Sequence, residues 1–598
     1  LIAIGTSASY LYSVFVTLFH DTIIFDNYPK ETYFDTSAMI IGLVLLGRYL
    51  EARSKKKAYN SIESLLSLQA TTARIIKGNV ESDLPIQDLR PNDIILVRPG
   101  EKIAADGKVV EGDSWVDESM LTGESRLATK HIGSKVFGAT INGTGSFRFL
   151  VTHVGKNTIL SQIIKLMEEA QGSKAPIQRL ADMISKYFVP TVIGISLVVF
   201  ATWLLLGPPP SYFYSMLTAV AVLIVACPCA LGLATPTAII VATGKAAECG
   251  IVIRNAESLE TAHKIDIIAL DKTGTLTSGK PSVTDIVSNN MDQNDLIKLV
   301  ASAEHISEHP IGKSIVREAH TRNLSLTKIS KPKVIPGYGI QGRYNDKNLL
   351  IGSKSLMEKH GIEMDIMENS TKELNQQGKT LVYVAIGNRI EGLIAVTDTL
   401  NVGALDAIKS FKKRGIEIIM LTGDDKPTAY HLARQLGIER VVANVLPANK
   451  VEEIRMLQSK NYKVAMVGDG INDSPALAQA DLGIAIGTGA DLAIANSDMT
   501  IIGGDIRNID SAFSLSNLAM RIIRQNLFWA FFYNILLIPI AAGLLYPIFL
   551  HSDMPNTLSP ILGEFGFLNP IIAASAMAFS SVAVVLNSLR IRSYTPNT

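Results

Sequence analysis

The sequence is poor in cysteine and has almost no excess of charge. Only three cysteines, Cys227, Cys229 and Cys249, occur in 598 residues, and the formal net charge is +1. So few cysteines, two of them separated by a single residue, do not indicate a disulfide framework. A chain this close to neutral gives no electrostatic reason to expect a nucleic-acid partner.

Charged residues are also scarce in six long apolar runs. A helix needs about 20 residues to cross a bilayer, so each run predicts a membrane span. The runs cover roughly 1–20, 34–50, 187–206, 213–240, 525–550 and 567–589.

The positions of the basic residues orient these spans. The second run is followed by "EARSKKK" and the chain ends in "LRIRSY", whereas the short connections 21–33, 207–212 and 551–566 contain only Lys30 as a strong base. Basic residues favour the cytosolic side. The large inserts and both ends of the chain are therefore expected in the cytosol. Because the chain starts at Leu1, not at a methionine, and at the edge of a run, further helices or domains are expected upstream.

The two cytosolic inserts differ in pattern. The first, about 71–155, alternates apolar and polar residues between turn signals and predicts a β-rich domain. The second, about 250–515, contains apolar strands that end at Asp271, Thr422 and Asp469, and helical patterns separate them. The helical patterns cover 404–414, 427–436 and 449–459. This order predicts a doubly wound α/β domain whose polar groups gather at one sheet edge.

The residues at this edge suit phosphoryl transfer. Asp271 is a candidate nucleophile, because a carboxylate can form a covalent phosphoryl intermediate. Asp469 and Asp473 supply the hard oxygen ligands that Mg²⁺ prefers. Thr422 can donate to a phosphate oxygen and Lys450 can offset its charge.

The motifs "DKTGTLT", "TGD" and "GDGIND", in this order, resemble the P-type ATPases, which contain the haloacid-dehalogenase-like fold. The resemblance implies an α-helical membrane protein with a cytosolic β-rich actuator domain. It also implies an α/β phosphorylation domain carrying an inserted α+β nucleotide-binding domain, with ATP and Mg²⁺ as cofactors. The implied divisions are 1–70 (membrane helices 1–2), 71–155 (actuator), 156–249 (linker and helices 3–4), 250–280 and 396–515 (phosphorylation), 281–395 (nucleotide binding) and 516–598 (helices 5–6).

The resemblance also assigns catalytic roles. Glu124 in "LTGES", with Thr122 and Gly123, would position the water that hydrolyses the aspartyl phosphate. The family usually has a proline just after this loop, but here Arg126 and Leu127 follow, so the rigidity of the loop is in question. Further catalytic residues implied by the motifs are Lys272, Thr273 (also towards Mg²⁺), Thr275, Gly423 and Asp424.

Two motifs in the inserted domain resemble the nucleotide site of the heavy-metal subfamily. They are "SEHP" and "PGYGI". The implied nucleotide-binding residues are Glu304, His309, Pro310, Gly337, Gly339 and Ile340. Without the family, His309 and Pro310 read equally well as an ordinary turn at the start of a helix.

The transported ion is indicated by polar groups within the spans, which are costly there and tend to be functional. "VACPCALGLATP" places Cys227 and Cys229 around a helix-breaking proline and resembles the signature of heavy-metal pumps. Buried cysteines that act as small apolar side chains beside a kink are the alternative. The last two spans add Tyr533, Asn534, Met577 and Ser581.

The last two spans lack acids and bases altogether. Soft thiolate and thioether donors select Cu(I), whereas a divalent ion is better served by carboxylate or imidazole. Zinc and cadmium pumps of the subfamily carry a lysine and an aspartate in these spans, so their absence favours copper. Silver(I), which has the same charge and softness, is an alternative transported ion.

Three carboxylates resemble groups along the ion path of copper pumps. Glu51 and Asp182 would lie at its cytosolic start and Asp35 near its exit. Solvated charges at helix ends are an equally good interpretation.

We therefore expect an ATP-driven exporter of Cu(I) in a bacterial inner membrane. It would be monomeric, surrounded by lipid and supplied by a cytosolic copper carrier. A zinc or cadmium pump, a potassium pump and a membrane-anchored phosphatase that transports nothing are the alternatives; in the last two, Cys227 and Cys229 would have no role.

Overall fold

The computed structural model describes most of the chain in two compact units. Unit 1 comprises Leu1–His263 and Ala512–Asn597, and unit 2 comprises Lys264–Ser511. The described residues are 2–18, 32, 34–66, 69–77, 80–119, 127–209, 211–226, 230–307, 309–327, 329–335, 338–424, 426–469, 473–487, 497–550, 555, 559–562 and 566–596.

Helices of unit 1 lie on all six predicted apolar runs, and three more, Ile159–Gly172, Ala256–Ala262 and Ser559–Leu562, lie outside them. The fourth run is divided into two helices, on either side of the predicted break at 227–229. The helices are Ile2–Leu18, Phe34–Leu66, Ile159–Gly172, Pro176–Leu206, Ser211–Val225, Leu231–Glu248, Ala256–Ala262, Arg507–Ala541 (which starts in unit 2), Tyr546–Phe549, Ser559–Leu562 and Pro570–Leu589.

Two helical segments in the described part of the chain, Pro176–Leu206 and Pro570–Ser593, are long and apolar enough to cross a membrane by length and composition. Three shorter apolar segments accompany them, Ala3–Leu18, Ser37–Tyr49 and Ser211–Val225.

The first insert is β-rich, as predicted. Six strands form one sheet in the order β2-β1-β3-β9-β4-β7, and three form a second in the order β6-β5-β8. Alternation along β9 buries Phe147, Phe149 and Val151 in the core. The strands of unit 1 are β1 (Thr72–Lys77), β2 (Val80–Pro85), β3 (Ile94–Val97), β4 (Asp106–Gly112), β5 (Ser114–Asp117), β6 (Ala128–Lys130), β7 (Lys135–Val136), β8 (Ile141–Asn142), β9 (Phe147–His153) and β10 (Ile251–Ile253).

Unit 2 contains the predicted doubly wound sheet. Six of its strands run parallel in the order β22-β21-β20-β11-β18-β19. The strands of unit 2 are β11 (Ile267–Asp271), β12 (Thr277–Ser288), β13 (Ser330–Ile335), β14 (Gly339–Tyr344), β15 (Lys347–Gly352), β16 (Thr380–Ile386), β17 (Arg389–Leu400), β18 (Glu417–Leu421), β19 (Arg440–Val442), β20 (Val464–Gly468), β21 (Leu482–Gly487) and β22 (Met499–Ile502). The accompanying helices are Ala404–Lys413, Lys426–Leu436, Pro447–Gln458 and Ser474–Gln479.

A second, antiparallel sheet is inserted after β11. Its strand order is β12-β17-β16-β15-β14-β13, so the strands that enter and leave the insertion are neighbours. These two strands begin at Thr277 and end at Leu400, a few residues outside the predicted boundaries 281–395. Its helices are Gln293–Glu304, Pro310–Thr321, Lys354–Lys359 and Glu368–Gln376.

Candidate active site and ion site

The parallel sheet brings the predicted phosphoryl-transfer residues together at its carboxyl edge. Asp271 ends β11, and Thr422 and Asp469 directly follow β18 and β20. Lys450, in the first turns of helix Pro447–Gln458, connects this edge to Asp473. Its Nζ lies 2.5 Å from Asp271 Oδ1 and 2.6 Å from Asp473 Oδ1.

This triad is nearly inaccessible to water. The exposed fractions are 6% for Asp271, 6% for Lys450 and 1% for Asp473. Burial and the charge of Asp473 raise the pKa of Asp271 to about 6, although Lys450 acts against the rise. Burial lowers the pKa of Lys450, but its charge and hydrogen-bond contacts with the two aspartates leave that pKa above its usual value. The site thus holds one cation between two carboxylates.

The loop after Asp271 turns sharply. Gly274 adopts φ +74°, a left-handed conformation that favours glycine, and a Cβ there would lie 3.4 Å from Asp469 Cβ. Lys272 Nζ is 2.6 Å from Asp424 Oδ2. Thr275 is fully buried, and its Oγ1 has no hydrogen-bond partner among the described residues. The loop therefore presents Lys272 and Asp424 as a second ion pair beside the triad.

Thr422 and Gly423 form the turn between β18 and Asp424. The Thr422 N–H donates to Val442 O at 3.0 Å, and its hydroxyl accepts the N–H of Asp424 at 3.1 Å. Thr422 is buried, with 2% of its surface exposed.

Mg²⁺ fits the donor set at this edge. Asp473 Oδ2 is buried and has no hydrogen-bond partner within the described ranges, while Oδ1 is held by Lys450. No group of three or more His, Cys, Asp or Glu side chains is arranged to hold a metal ion in the part of the chain that the structure describes. One or two carboxylates, completed by water and phosphate oxygens, are what Mg²⁺ ordinarily uses. Asp271, Asp469 and Asp473, with Thr273, are the residues available.

The segment 272–279, which follows the candidate nucleophile Asp271, is named the catalytic loop. Sequence reasoning missed Asp398 as a structural partner of this loop. Its carboxylate accepts the Thr277 hydroxyl at 2.5 Å, the Ser278 hydroxyl at 3.1 Å and the Gly279 N–H at 3.2 Å. Asp398 therefore fixes the point where the chain leaves one sheet for the other. "TDTL" marked only the end of the insertion in the sequence, and nothing in it pointed to these partners.

A cavity of about 710 Å³ opens between the catalytic loop and the inserted sheet. Its wall includes Lys272, Thr273 and Asp424 on one side and Pro310 and Ile311 on the other. It is large enough for a nucleotide and polar where the catalytic loop faces it.

The predicted nucleotide-binding residues differ in exposure: Glu304 and Ile340 are buried, whereas His309 is exposed. Glu304 is buried, and burial raises its pKa despite a hydrogen bond with Ser307 and the charge of His309. His309 is exposed and caps the next helix, since its Nδ1 accepts the Ile311 N–H at 3.3 Å. His309 and Pro310 thus form the helix-start turn that the alternative interpretation described, which leaves the imidazole accessible.

Gly339 and Ile340 lie on β14. Gly339 has φ +147° and pairs with Gly352 of β15, and a Cβ on Gly339 would collide with Ile351 O. Ile340 is 2% exposed and packs in the core of the inserted domain, away from solvent.

In unit 1, a small cavity of about 20 Å³ lies among the apolar helices. Its lining includes Tyr533, Asn534 and Met577, together with Val225 and Ala230, which flank the break. The structure thus brings three of the four residues predicted on the last two spans, Tyr533, Asn534 and Met577, to the two ends of the predicted break. Ser580 also lines this cavity, whereas the predicted Ser581 is buried and does not belong to the lining.

Several predicted residues lie outside the described residues. They are Thr122, Gly123, Glu124, Cys227, Cys229 and Gly337, and also the side chain of Glu51. Asp182 is exposed and bound by Lys174 Nζ at 2.8 Å, and Asp35 is exposed in the first turn of its helix. Both positions agree with solvated charges at helix ends.

Comparison with known proteins covers the whole chain. Residues 265–481 match the haloacid dehalogenase-like hydrolase family, and residues 67–168 match the P-type ATPase actuator domain. A probable copper-transporting ATPase of Synechococcus elongatus is 46% identical over 100% of this chain and 78% of its own length. A copper-exporting P-type ATPase of Staphylococcus epidermidis is 46% identical over 99% of this chain and 71% of its own. The crystal structure of a zinc-transporting PIB-type ATPase in an E2·Pi state shares 29% identity, with a TM-score of 0.63, covering 99% of this chain and 90% of that one.

Proposed function

Since this chain belongs to the copper-transporting P-type ATPases, an integral membrane family that hydrolyses ATP, we propose that it exports Cu(I) from the cytosol through an aspartyl phosphate on Asp271. The observation that carries the choice of ion is the small cavity at the helix break. It collects Tyr533, Asn534 and Met577, and no charged side chain occurs on either of the last two spans.

The phosphorylation step follows from the triad. The ionised Asp271 carboxylate attacks the γ-phosphorus of ATP, a new O–P bond forms, the bond to the β-phosphate oxygen breaks and ADP leaves. Lys450, 2.5 Å from Asp271, balances the negative charge that accumulates there. Thr422 lies at the same edge, and we assign its hydroxyl the role of donating to a phosphate oxygen. Asp271, Asp469 and Asp473 are the carboxylates that would hold Mg²⁺, and the bound ion would add further charge neutralisation for the phosphate oxygens.

Dephosphorylation is assigned to the first insert. We infer that Glu124 activates the water that hydrolyses the aspartyl phosphate, with Thr122 and Gly123 in the same loop. This role comes from the "LTGES" motif.

The ion site is proposed as a soft-donor site. Cys227 and Cys229 would bind Cu(I) as thiolates, joined by Met577 and the polar groups of Tyr533 and Asn534. Zinc transport is the alternative, because a zinc-transporting ATPase is the structural relative above. The higher identity to copper transporters and the uncharged last spans favour copper. Silver(I) would suit the same donors.

The bacterial origin of the compared relatives supports a proposal for the location of the protein. We propose a bacterial plasma membrane as the location, because the compared relatives are bacterial. We also propose that a cytosolic carrier delivers Cu(I) and that the pump works as a monomer.

The decisive experiment measures ATP hydrolysis by purified protein in lipid, under reducing conditions, with Cu(I), Ag(I) or Zn²⁺. We expect Cu(I) or Ag(I) to stimulate it, and Cys227→Ser and Cys229→Ser to abolish the stimulation. Cys249→Ser is the matched control, because Cys249 is buried at a helix end away from the break. Asp271→Asn should remove the hydroxylamine-sensitive phosphoenzyme. Stimulation by Zn²⁺ alone would reverse the choice of ion, and a phosphoenzyme in Asp271→Asn would refute the nucleophile.

A further inference from the structure

The long helix Arg507–Ala541 connects two regions of different chemistry. Its first turn lies in unit 2 with the catalytic sheet, and the same helix carries Tyr533 and Asn534, more than twenty residues further along. The short helix Ala404–Lys413 contacts this first turn through its two flanking residues, Gly403 and Arg414. We propose that it thereby couples the phosphorylation of Asp271 to the long helix. This inference rests on the proposed transport function.

The first contact is an ion pair at the end of the short helix. Arg414 Nε donates to Asp510 Oδ1 at 2.5 Å, and Nη2 donates to Oδ2 at 3.1 Å and to the Asp510 carbonyl at 3.3 Å. The side chains are 25% and 14% exposed. A two-pronged, partly buried arginine contact fixes orientation as well as distance. Arg414 therefore holds the long helix in one rotational setting.

The second contact lies at the start of the short helix. Gly403 has φ +83°, and a Cβ there would lie 2.7 Å from both Cγ and Cδ of Arg507. The arginine stem thus packs directly on the glycine backbone. Asp505 holds the guanidinium of Arg507 in place through Oδ2, 2.7 Å from Nη2 and 2.9 Å from Nε. Both ends of the short helix consequently contact residues one turn apart on the long helix.

Asn401, three residues before the short helix, connects that helix to the catalytic loop. The Asn401 N–H donates to Leu276 O at 2.9 Å, and its side-chain Nδ2 donates to Thr275 O at 2.7 Å. Asn401 O in turn accepts the N–H of Ala404, the first residue of the short helix, at 3.1 Å. A shift of the loop on phosphorylation would therefore reach the short helix through direct hydrogen bonds. Arg414 and Asp510 act as positioning residues in this arrangement, because neither touches the reacting atoms.

The test compares Arg414→Gln, Asp510→Asn and the double variant in full-length protein reconstituted in vesicles. The matched control is Arg440→Gln, which removes a more exposed ion pair between β18 and β19 of the same unit, Arg440 Nη1 to Glu417 Oε1 at 3.1 Å. Phosphoenzyme level, Cu(I)-dependent ATP hydrolysis and Cu(I) transported per ATP are measured. We expect Arg414→Gln, Asp510→Asn and the double variant to keep at least about half of the phosphoenzyme level. The Cu(I) transported per ATP should fall about fivefold or more, a typical coupling between sites. The control should match the wild type.

Non-additivity is the second readout. Because the two residues form one contact, the double variant should lose no more coupling than either single variant. If Arg414→Gln destabilises the protein, Asp510→Asn, which keeps the side-chain shape, provides the same comparison. An unchanged transport-to-ATP ratio in the variants, or losses equal to those of Arg440→Gln, would overturn the proposal. A wild type that hydrolyses ATP without transporting Cu(I) would instead refute the proposed function.

Discussion

Lys450 offers a prediction whose magnitude can be worked out from the structure. Lys450→Met removes a buried cation that lies 2.5 Å from Asp271 and 2.6 Å from Asp473, while keeping a side chain of similar length. An opposite charge this close typically lowers a carboxyl pKa by ~1–3 units. Its loss should therefore raise the pKa of Asp271 from about 6 to roughly 7–9.

The consequence for phosphorylation depends on pH. At pH 7 a carboxyl with a pKa of about 6 is roughly 90% ionised, and the expected rise leaves between about 50% and 1% ionised. Because only the ionised carboxylate attacks phosphorus, the rate of phosphoenzyme formation at pH 7 should fall about 2- to 100-fold. Raising the pH towards 9 should restore this part of the loss. Whatever loss remains at high pH measures the contribution of Lys450 to neutralising the transferring phosphate.

The assay is the initial rate of phosphoenzyme formation from labelled ATP between pH 5.5 and 9. For each variant, only pH values at which the protein remains folded are used. Lys450→Arg, which keeps the charge, is the control and should keep an acid limb close to the wild-type position. Adding Asp473→Asn to Lys450→Met removes one of the two carboxylates left unpaired, and should move the limb back towards the wild type. An equal loss for Lys450→Met at every pH would refute the electrostatic explanation.

Two further predictions concern the same unit. In wild-type protein, phosphoenzyme formation should decline as the pH falls through about 6, because the raised pKa of Asp271 means that its ionised form is lost there. A higher Mg²⁺ concentration should move this decline to lower pH. A rate that stays constant down to pH 4.5 at low Mg²⁺ would contradict the argument that burial raises this pKa. Gly312→Ala should raise the KM for ATP about tenfold, or about 1.4 kcal/mol, since its Cβ would collide with the buried carboxylate of Glu304. Gly172→Ala is its control, as no atom lies within 4 Å of the added Cβ, and equal KM values in the two variants would remove Glu304 from the nucleotide site.

Most of the fold could be predicted because each element carries a local signal. Apolar strands in unit 2 end at Asp271, Leu421 and Gly468, next to motif residues, and parallel strands place their carboxyl ends at one edge. The proximity of Asp271, Asp469 and Thr422 follows from that rule. The bridging position of Lys450 does not, because it depends on how helix Pro447–Gln458 packs, 179 residues away from Asp271 in the chain.

Helix periodicity also leaves side-chain positions undecided within a span. Ser580 and Ser581 lie three and four residues after Met577, and both spacings fall on the same helix face. Sequence pattern therefore cannot decide which hydroxyl faces the small cavity. The packing of helix Pro570–Leu589 decides it, and it places Ser580 on the lining.

The residues proposed to couple the two chemistries carry no sequence signal of their own. Arg414 and Asp510 are ordinary charged residues 96 positions apart, and Arg440 and Glu417 on the same sheet look no different in the sequence. What separates the two pairs is geometry: the first is two-pronged and partly buried, and it contacts the first turn of a helix that continues to Tyr533. Catalytic motifs are recognisable because the chemistry restricts the residue types, whereas a mechanical contact can be made by many pairs. Coupling residues must therefore be sought in the structure, from the contacts that connect the catalytic loop to the helix that carries the proposed ion ligands.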